Sequence, residues 1–211
     1  MKRNARIAVK AGVWVLCLLP VSILAYLAAT NDLGANPISF VTNWLGQWTF
    51  RLLLISLALT PLRILTGLAW PIILRRLLGL FTFFYACLHF CVWILIDHYF
   101  NWAQMAEDII KRRYITVGML ALLCLIPLAI TSTNGMVKRL GGVAWRRLHR
   151  LVYLIGVLAA FHFLWLSKGI RADAYLYTAI LTLLLGMRVF DALRRRLRRR
   201  QSAVAARSVP A

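Results

Sequence analysis

Four histidines are the residues of this sequence whose type and spacing suggest chemistry, and all four lie within or beside long apolar segments. His89 lies 13 residues after Arg76, and His162 lies 13 residues after His149. At about 1.5 Å per helical residue, each of the two lies roughly 20 Å along its segment. An ionisable side chain at membrane depth is costly and needs a partner. Two imidazoles at one depth on facing helices are the ligands of six-coordinate haem iron, so the spacing predicts a haem bound by His89 and His162.

The alternative for a single membrane histidine is a hydrogen bond to a neighbouring helix, but the matched depth of these two favours a metal. Copper fits less well, because membrane copper sites usually add Cys or Met ligands and Cys87 points about 200° away from His89 on a helix. Aromatic residues near both positions suit a flat apolar macrocycle. They are Phe83, Phe84, Tyr85 and Phe90 near His89, and Phe161, Phe163 and Trp165 near His162.

The other two histidines are interpreted differently. His149 lies about one haem-to-haem step from His162, but the third apolar segment offers Arg75 and Arg76 at that level and no second histidine. From the residues alone, His149 is therefore either a haem ligand or an interfacial residue. His98 follows the same apolar segment and is interpreted as a solvated surface residue.

Six apolar segments are long enough to position these residues across a bilayer, whose core of ~30 Å needs about 20 helical residues. They cover residues 11–29, 44–62, 76–97, 114–131, 150–167 and 174–192. The chain of 211 residues is 62% apolar and only 15% charged, which indicates a membrane protein. The second segment is expected to break near Pro61, which cannot donate a backbone hydrogen bond. The predicted fold class is all-α, a polytopic membrane helix bundle with six transmembrane helices.

The charged residues are divided unequally between the two ends of these segments. With the N-terminus inside, 20 of the 26 Lys and Arg residues fall on the cytosolic side, and five of the six acidic residues fall outside. The positive-inside rule then predicts that both termini are cytosolic. We expect a transmembrane haem-binding domain over residues 1–193 and an arginine-rich cytosolic tail over 194–211 that is attracted to anionic membrane lipids.

Composition and motifs exclude several other classes of protein. The net charge of +20 does not indicate nucleic-acid binding, because the basic residues lie between and after apolar segments and form no face of a soluble domain. The four cysteines match neither a zinc site nor a disulfide framework. The loops are short and contain neither a Gly-x-Gly-x-x-Gly motif nor a P-loop, which excludes a nucleotide-binding domain.

The sequence resembles the MsrQ (YedZ) family of haem-binding membrane subunits, within the ferric-reductase-like transmembrane group. The resemblance covers nearly the whole chain and lies in blocks of specific order and spacing. The blocks are Leu59-Thr60-Pro61-Leu62-Arg63, Arg75-Arg76-Leu77-Leu78-Gly79-Leu80 followed by Tyr85 and His89, Lys111-Arg112-Arg113-Tyr114-Ile115-Thr116-Val117-Gly118-Met119, Pro127-Leu128-Ala129-Ile130-Thr131-Ser132, and Trp145-Arg146-Arg147-Leu148-His149-Arg150-Leu151-Val152-Tyr153 followed by His162.

The resemblance implies a multi-pass protein of the bacterial inner (plasma) membrane that serves a periplasmic methionine-sulfoxide reductase system. It implies one or two haem b groups held through His89, His149 and His162, with FMN as a further cofactor. Electrons would come from quinol, and the recipient would be a soluble periplasmic molybdenum-cofactor (molybdopterin-dependent) reductase that repairs oxidised methionines. The chain would then be an electron-transfer subunit of an oxidoreductase complex and not the catalytic reductase. Related members of the group carry two histidines on each haem helix, whereas the third segment here has His89 alone.

Three arginines are candidate cofactor-binding residues. We expect Arg75 or Arg76 to steady a haem propionate or a lipid phosphate, the alternative being a positive-inside anchor. Arg51 lies unusually deep in the second segment. It either meets a haem propionate on the outer side or reaches back to the membrane interface.

Two other functions compete with a haem electron conduit. One is a ferric or flavin reductase fed from the cytosol, which differs in its donor, reduced flavin instead of quinol. The other is a small permease without a cofactor. Such permeases usually show inverted repeats and helices broken near the midplane, and neither is evident here. A haem absorption spectrum distinguishes the permease from the cytochrome.

Overall fold

The computed structural model describes residues 2–166 and 172–207, and these residues form eight α-helices and no strand. A 3₁₀ turn, Trp70–Leu74, leads into the third helix, and a π-helical turn, Trp93–Asp97, continues it. The all-α prediction is therefore confirmed. The helices are α1 (Arg3–Ala29), α2 (Pro37–Thr66), α3 (Arg75–Val92), α4 (Trp102–Lys111), α5 (Arg113–Ile130), α6 (Asn134–Leu148), α7 (Leu151–Leu166) and α8 (Ala172–Arg207).

Five helices, α1, α2, α3 with its flanking turns, α5 and α8, are long and apolar enough to cross a membrane. A sixth span results when α6 and α7 are counted together, although the chain bends by 43° between them. The expected multi-span bundle is thus confirmed at five or six spans among the described residues. Helix α8 runs through Arg207 without a break at 194, where we expect a separate tail to begin.

The helix α2 begins and ends at residues that favour those ends. The Asn36 side chain accepts a 3.1 Å hydrogen bond from the Ser39 N–H, and Pro37 occupies the first turn. Gly67 ends the helix with a φ of 72°, a left-handed conformation that glycine adopts without strain. The helix is consequently longer at both ends than the predicted segment 44–62.

The predicted break at Pro61 is wrong, because α2 continues through this residue. Proline supplies no N–H to the Leu57 carbonyl oxygen, which would otherwise lack its helical partner. The Arg188 guanidinium on α8 donates to that oxygen instead, and it also donates to the Tyr153 hydroxyl at 2.8 Å. A side chain from another helix thus replaces the missing backbone donor and keeps α2 continuous.

Two apolar clusters hold the bundle together on either side of α2. One joins α2 to α5, α7 and α8 through residues such as Leu53, Leu125, Ile155 and Leu181. A Cβ added at Gly156 would lie 3.1 Å from the Leu181 side chain, so this glycine allows α7 and α8 to approach closely. The other cluster joins α1 to α2 and α3.

Two side chains from other helices fasten α1 to the bundle. The Tyr85 hydroxyl on α3 donates to the Cys17 carbonyl oxygen at 2.7 Å and accepts from the Val21 N–H at 3.1 Å. It therefore stands between two backbone groups that would bond each other in a regular helix, beside the helix-interrupting Pro20. Trp44 on α2 donates through Nε1 to the Pro20 carbonyl oxygen at 3.0 Å.

Candidate functional site

His89 on α3 and His162 on α7 face each other across the bundle, with ring centroids 6.2 Å apart and ring planes crossing at 83°. The Nδ1–H of His89 donates to the Thr42 carbonyl oxygen of α2 at 2.9 Å. The Nδ1–H of His162 donates to the Tyr114 carbonyl oxygen of α5 at 2.6 Å. A carbonyl oxygen only accepts, so both rings carry their proton on Nδ1 and present the lone pair of Nε2. The structure therefore brings the two predicted residues together at one depth.

Two glycines allow these imidazoles to lie against the neighbouring helices. Each glycine follows by four residues the carbonyl group that accepts the Nδ1 hydrogen bond. A Cβ added at Gly46 would lie 3.1 Å from His89 Cε1, and one added at Gly118 would lie 2.7 Å from His162 Nδ1. A larger residue would push the ring away from the carbonyl group that orients it. The same local construction thus positions both histidines.

The separation of the two rings fits one metal ion between them. Two metal–nitrogen bonds of about 2 Å, each extended by roughly 1 Å from nitrogen to ring centre, span about 6 Å, and the observed separation is 6.2 Å. The described residues contain no group of three or more His, Cys, Asp or Glu side chains that could hold an ion. Two imidazoles leave four positions of a six-coordinate ion to be filled, and a planar tetrapyrrole fills four. The donor set therefore fits haem better than a metal ion held by protein alone.

A cavity of about 560 Å³ surrounds the two rings. Its walls come from α2, α3, α5 and α7, the four helices that supply the histidines and the accepting carbonyl groups. Sites for small organic cofactors commonly have volumes of about 300–1,000 Å³. The size and the position of the cavity therefore both suit a cofactor held between the histidines.

One end of the cavity is closed by a floor of four residues, Leu53, Thr82, Leu125 and Ile155. Each lies two helical turns from the level of the histidines and glycines, and all four are buried. The Thr82 hydroxyl donates to the Leu78 carbonyl oxygen in its own helix at 2.9 Å. The floor therefore presents an apolar surface to the cavity.

The opposite end, the mouth of the cavity, is polar and is lined by Asn36, Ser39, Asn43, Asp97 and Arg112. We call this end of the bundle the acidic end, because it carries Asp97 and its neighbour in space Asp108. The other end is called the basic end, because it carries Arg75, Arg76 and Arg188. An occupant of the cavity would meet an apolar floor on one side and polar groups on the other.

The aromatic residues around the cavity differ from those expected. Of the seven named from the sequence, Phe90 and Phe163 line it. Three of the others are exposed on the outside of the bundle. The remaining aromatic lining comes from Phe50, Trp93 and Tyr114, so most of the expected set is wrong. Nearness in sequence to a histidine does not determine which side of a helix an aromatic ring occupies.

His149 lies at the basic end, beside the start of α7, and no second histidine faces it in the part of the chain that the structure describes. Its Nε2 is 3.0 Å from the Thr131 hydroxyl, and its ring stacks on Trp145 with centroids 3.9 Å apart. Arg75 and Arg76 place positive charge beside the ring. A role for His149 as a haem ligand stays a prediction.

The interpretation of His98 as a solvated residue is wrong, because it is only 5% exposed. Its Nε2 is 3.1 Å from Asp108 Oδ2, and its Nδ1 is 3.2 Å from the Trp93 carbonyl oxygen. Asp108 belongs to α4, a helix that lies where the sequence suggests only a loop. The folding of α4 beside the end of α3 is what buries His98.

Neither Arg51 nor Arg76 lines the cavity. Arg51 donates through Nε to the Tyr177 hydroxyl of α8 at 2.6 Å and through Nη2 to Gln47 Oε1 at 3.0 Å. Arg76 donates through Nη1 to Asn134 Oδ1 at the start of α6 at 2.6 Å. These contacts connect helices, and a cofactor-binding role for either arginine stays a prediction.

Besides the aromatic lining, three residues of the site are not anticipated from the sequence: Gly46, Gly118 and Arg112. A glycine inside a long apolar helix is unfavourable unless something approaches the backbone closely, so the two glycines carry a usable signal. That signal does not reveal what approaches. Arg112 is one of three consecutive basic residues, and nothing in that run distinguishes it from its neighbours.

Comparison with known proteins agrees with this geometry. Residues 45–160 match the family of ferric reductase-like transmembrane components. The "protein-methionine-sulfoxide reductase heme-binding subunit MsrQ" of Ralstonia nicotianae is 50% identical over 205 residues, which cover 96% of this chain and 93% of that protein. Proteins of the same name from Herminiimonas arsenicoxydans and Rhodospirillum rubrum are each 49% identical, cover 89% of this chain, and are themselves covered to 87% and 90%. The chain belongs to the ferric reductase-like transmembrane family and, within it, to the MsrQ subunits.

Proposed function

We propose that this chain is a haem-carrying electron-transfer subunit whose haem b is held by His89 and His162. The observation that carries the proposal is the pair of Nδ1-anchored imidazoles, 6.2 Å apart across a cofactor-sized cavity. The names of the relatives, heme-binding subunits of a protein-methionine-sulfoxide reductase, support it. Haem iron with two imidazole ligands supplies one-electron chemistry and has no open coordination position.

The residues around the cavity would set the properties of this site. The Thr42 and Tyr114 carbonyl groups fix the orientation of the two rings and increase the basicity of Nε2. The apolar floor excludes water on the side of the basic end. Because the protein already orients the two imidazoles, they would need little rearrangement in the one-electron chemistry that a haem held there would supply.

We propose that the basic end faces the cytosol, together with both termini, and that the acidic end faces the periplasm of a bacterial inner membrane. The support is the positive-inside rule, since 20 of the 26 Lys and Arg residues fall on the side of Arg75, Arg76 and Arg188. The mouth of the cavity would then open toward the periplasm. This orientation suits a soluble periplasmic recipient, for which we propose a molybdopterin-dependent methionine-sulfoxide reductase.

We propose quinol as the electron donor, and a second cofactor beside His149 as the step between donor and cavity. His149 and His162 are 13 residues apart, about 20 Å along a helix, which a relay group at the basic end would shorten. The second cofactor would be another haem or FMN. Both groups are anionic, and Arg75 and Arg76 supply positive charge beside His149.

An absorption spectrum of the purified protein tests the haem proposal. We expect sharp bands of six-coordinate haem in the reduced protein, and the loss of most of this signal in His89→Ala and in His162→Ala. Leu80→Ala, at an exposed position on the same helix as His89, is the matched control and should retain the bands. Imidazole added to either histidine variant should restore a low-spin spectrum that stays with the protein after unbound haem is removed by gel filtration, which a misfolded protein would not show. A parent protein without haem bands, or full haem in both variants, would end the proposal.

Reduction of the haem in proteoliposomes tests the donor separately. Quinol dissolved in the bilayer should reduce it without a soluble partner. If only flavin reduced in solution does so, the protein is a ferric- or flavin-reductase-type cytochrome, and quinol is not its donor. Either result leaves the assignment of His89 and His162 unaffected.

A further inference from the structure

The walls of the cavity carry very little charge. Among the described residues that line it, Arg112 is the only Lys or Arg, and Asp97 is the only Asp or Glu. Both lie at the mouth, where Asn36 and Ser39 add polar groups. A cofactor with an apolar body and a negatively charged edge would therefore enter with that edge at the mouth, beside Arg112.

Arg112 is held in place by residues behind the mouth. Its Nε is 3.2 Å from Asp108 Oδ1, and its backbone N–H donates to the Asp108 carbonyl oxygen at 2.8 Å. Holding a long exposed side chain in one orientation costs entropy, and the contact with Asp108 offsets part of that cost for Arg112.

Asp108 is held in turn by His98, whose Nε2 is 3.1 Å from its Oδ2. His98 is fixed at its other nitrogen by the Trp93 carbonyl oxygen at 3.2 Å. The side chains of His98 and Asp108 are 4% and 12% exposed, whereas that of Arg112 is 54% exposed. The series from Trp93 to Arg112 thus begins at the cavity wall, runs through buried groups and returns to the cavity at its mouth.

We propose that Arg112 binds a propionate of the haem held by His89 and His162, and that Asp108 and His98 are positioning residues that hold its guanidinium at the mouth. This inference rests on the proposed function, since the propionates belong to haem b. A guanidinium forms strong, directional hydrogen bonds with a carboxylate. The Asp108 contact uses Nε and leaves the terminal nitrogens for a second carboxylate. The arginines expected from the sequence, Arg51, Arg75 and Arg76, do not line this cavity.

The test compares haem b with its dimethyl ester, in which both propionates are neutral. Full-length protein prepared without haem is titrated in detergent with each compound, as parent, Arg112→Gln and Arg113→Gln. Arg113 is the matched control, because it adjoins Arg112 and does not line the cavity. We expect Arg112→Gln to bind haem b about 10-fold or more weakly and to bind the ester with the affinity of the parent. Its midpoint potential with haem b should fall, since a nearby positive charge favours reduced iron.

The role of Asp108 is tested by combining variants. Asp108→Asn should weaken haem b binding several-fold in the parent, and it should add nothing in the Arg112→Gln background or with the ester. Parent affinity for haem b in Arg112→Gln would overturn the proposal, and so would equal losses with haem b and the ester, which indicate a purely structural role. The spectrum of the parent still tests ligation by His89 and His162, so failure of this inference is distinguishable from failure of the proposed function.

Discussion

Replacing Gly118 with alanine should separate the His162 ring from the carbonyl group that orients it. The added Cβ would lie 2.7 Å from Nδ1, whereas ordinary contacts begin at 3.4 Å, so the ring must retreat by about 0.7 Å. The 2.6 Å hydrogen bond to the Tyr114 carbonyl oxygen would then lengthen to about 3.3 Å, past the usual limit. Loss of such a supporting hydrogen bond typically costs about 10–100-fold in metal affinity, and we expect a loss in this range for haem.

Two other glycines make this prediction quantitative. At Gly46 the nearest ring atom would be 3.1 Å from the added Cβ, so a retreat of about 0.3 Å suffices and the loss should be smaller. At Gly79 on α3 nothing lies within 4 Å of the added Cβ. Alanine there should leave haem affinity unchanged and stabilise the helix by up to about 1 kcal/mol.

The assay is titration of the full-length protein with haem, followed by electron paramagnetic resonance of the oxidised complex, which reports the geometry of the axial imidazoles. The expected order of affinity is parent and Gly79→Ala, then Gly46→Ala, then Gly118→Ala. Parent affinity and an unchanged resonance spectrum in Gly118→Ala would refute the reasoning. A greater loss in Gly46→Ala than in Gly118→Ala would refute it as well.

Three further predictions concern the helices around the site. Arg188→Leu should lower the free energy of unfolding by about 1–3 kcal/mol, because the Leu57 carbonyl oxygen loses its donor. Adding Pro61→Ala restores a backbone N–H for that oxygen and should recover part of this loss in denaturation experiments. A double variant no more stable than Arg188→Leu would contradict this prediction. Tyr85→Phe should allow the Cys17 carbonyl and the Val21 N–H to bond each other, so that α1 straightens and packs less tightly against α3. Hydrogen exchange should then rise in α1 relative to α2. Equal exchange in parent and variant would contradict this prediction. Arg51→Met should lower the melting temperature, because the Tyr177 hydroxyl and Gln47 both lose a hydrogen-bond partner. The two losses together should lower the free energy of unfolding by about 1–3 kcal/mol. A melting temperature equal to that of the parent would contradict this prediction.

The pairing of His89 with His162 could be predicted because depth along a helix is proportional to residue number. The direction in which a side chain points around the helix depends on which helices become neighbours, and the sequence does not provide that. For this reason most of the aromatic residues named by proximity face away from the cavity. The glycines at 46 and 118 could be noticed, but the imidazoles that approach them come from other helices.

Two of the wrong expectations, a break at Pro61 and a solvated His98, have one physical cause. Each applies a local rule at a position where a distant residue decides the outcome. Arg188, which replaces the donor missing at Pro61, lies 131 positions from the Leu57 carbonyl that it reaches. His98 follows an apolar segment, as a surface residue would, but α4 brings Asp108 onto its ring.

The apolar floor of the cavity has an electrical consequence. Leu53, Leu125 and Ile155 carry no group that transfers protons, and the Thr82 hydroxyl is engaged within its own helix, so an electron passing this layer would cross it without a proton. In the proposed orientation, each transfer from the cytosolic end moves one net charge across roughly two-thirds of the ~30 Å core. Moving one elementary charge across the whole membrane changes its energy by about 2.3 kcal/mol per 100 mV of membrane potential, so this partial crossing changes it by about 1.5 kcal/mol per 100 mV. Because the cytosol is the negative side, the membrane potential would drive electrons toward the periplasm. Each electron delivered to a periplasmic reductase would in turn lower the membrane potential slightly.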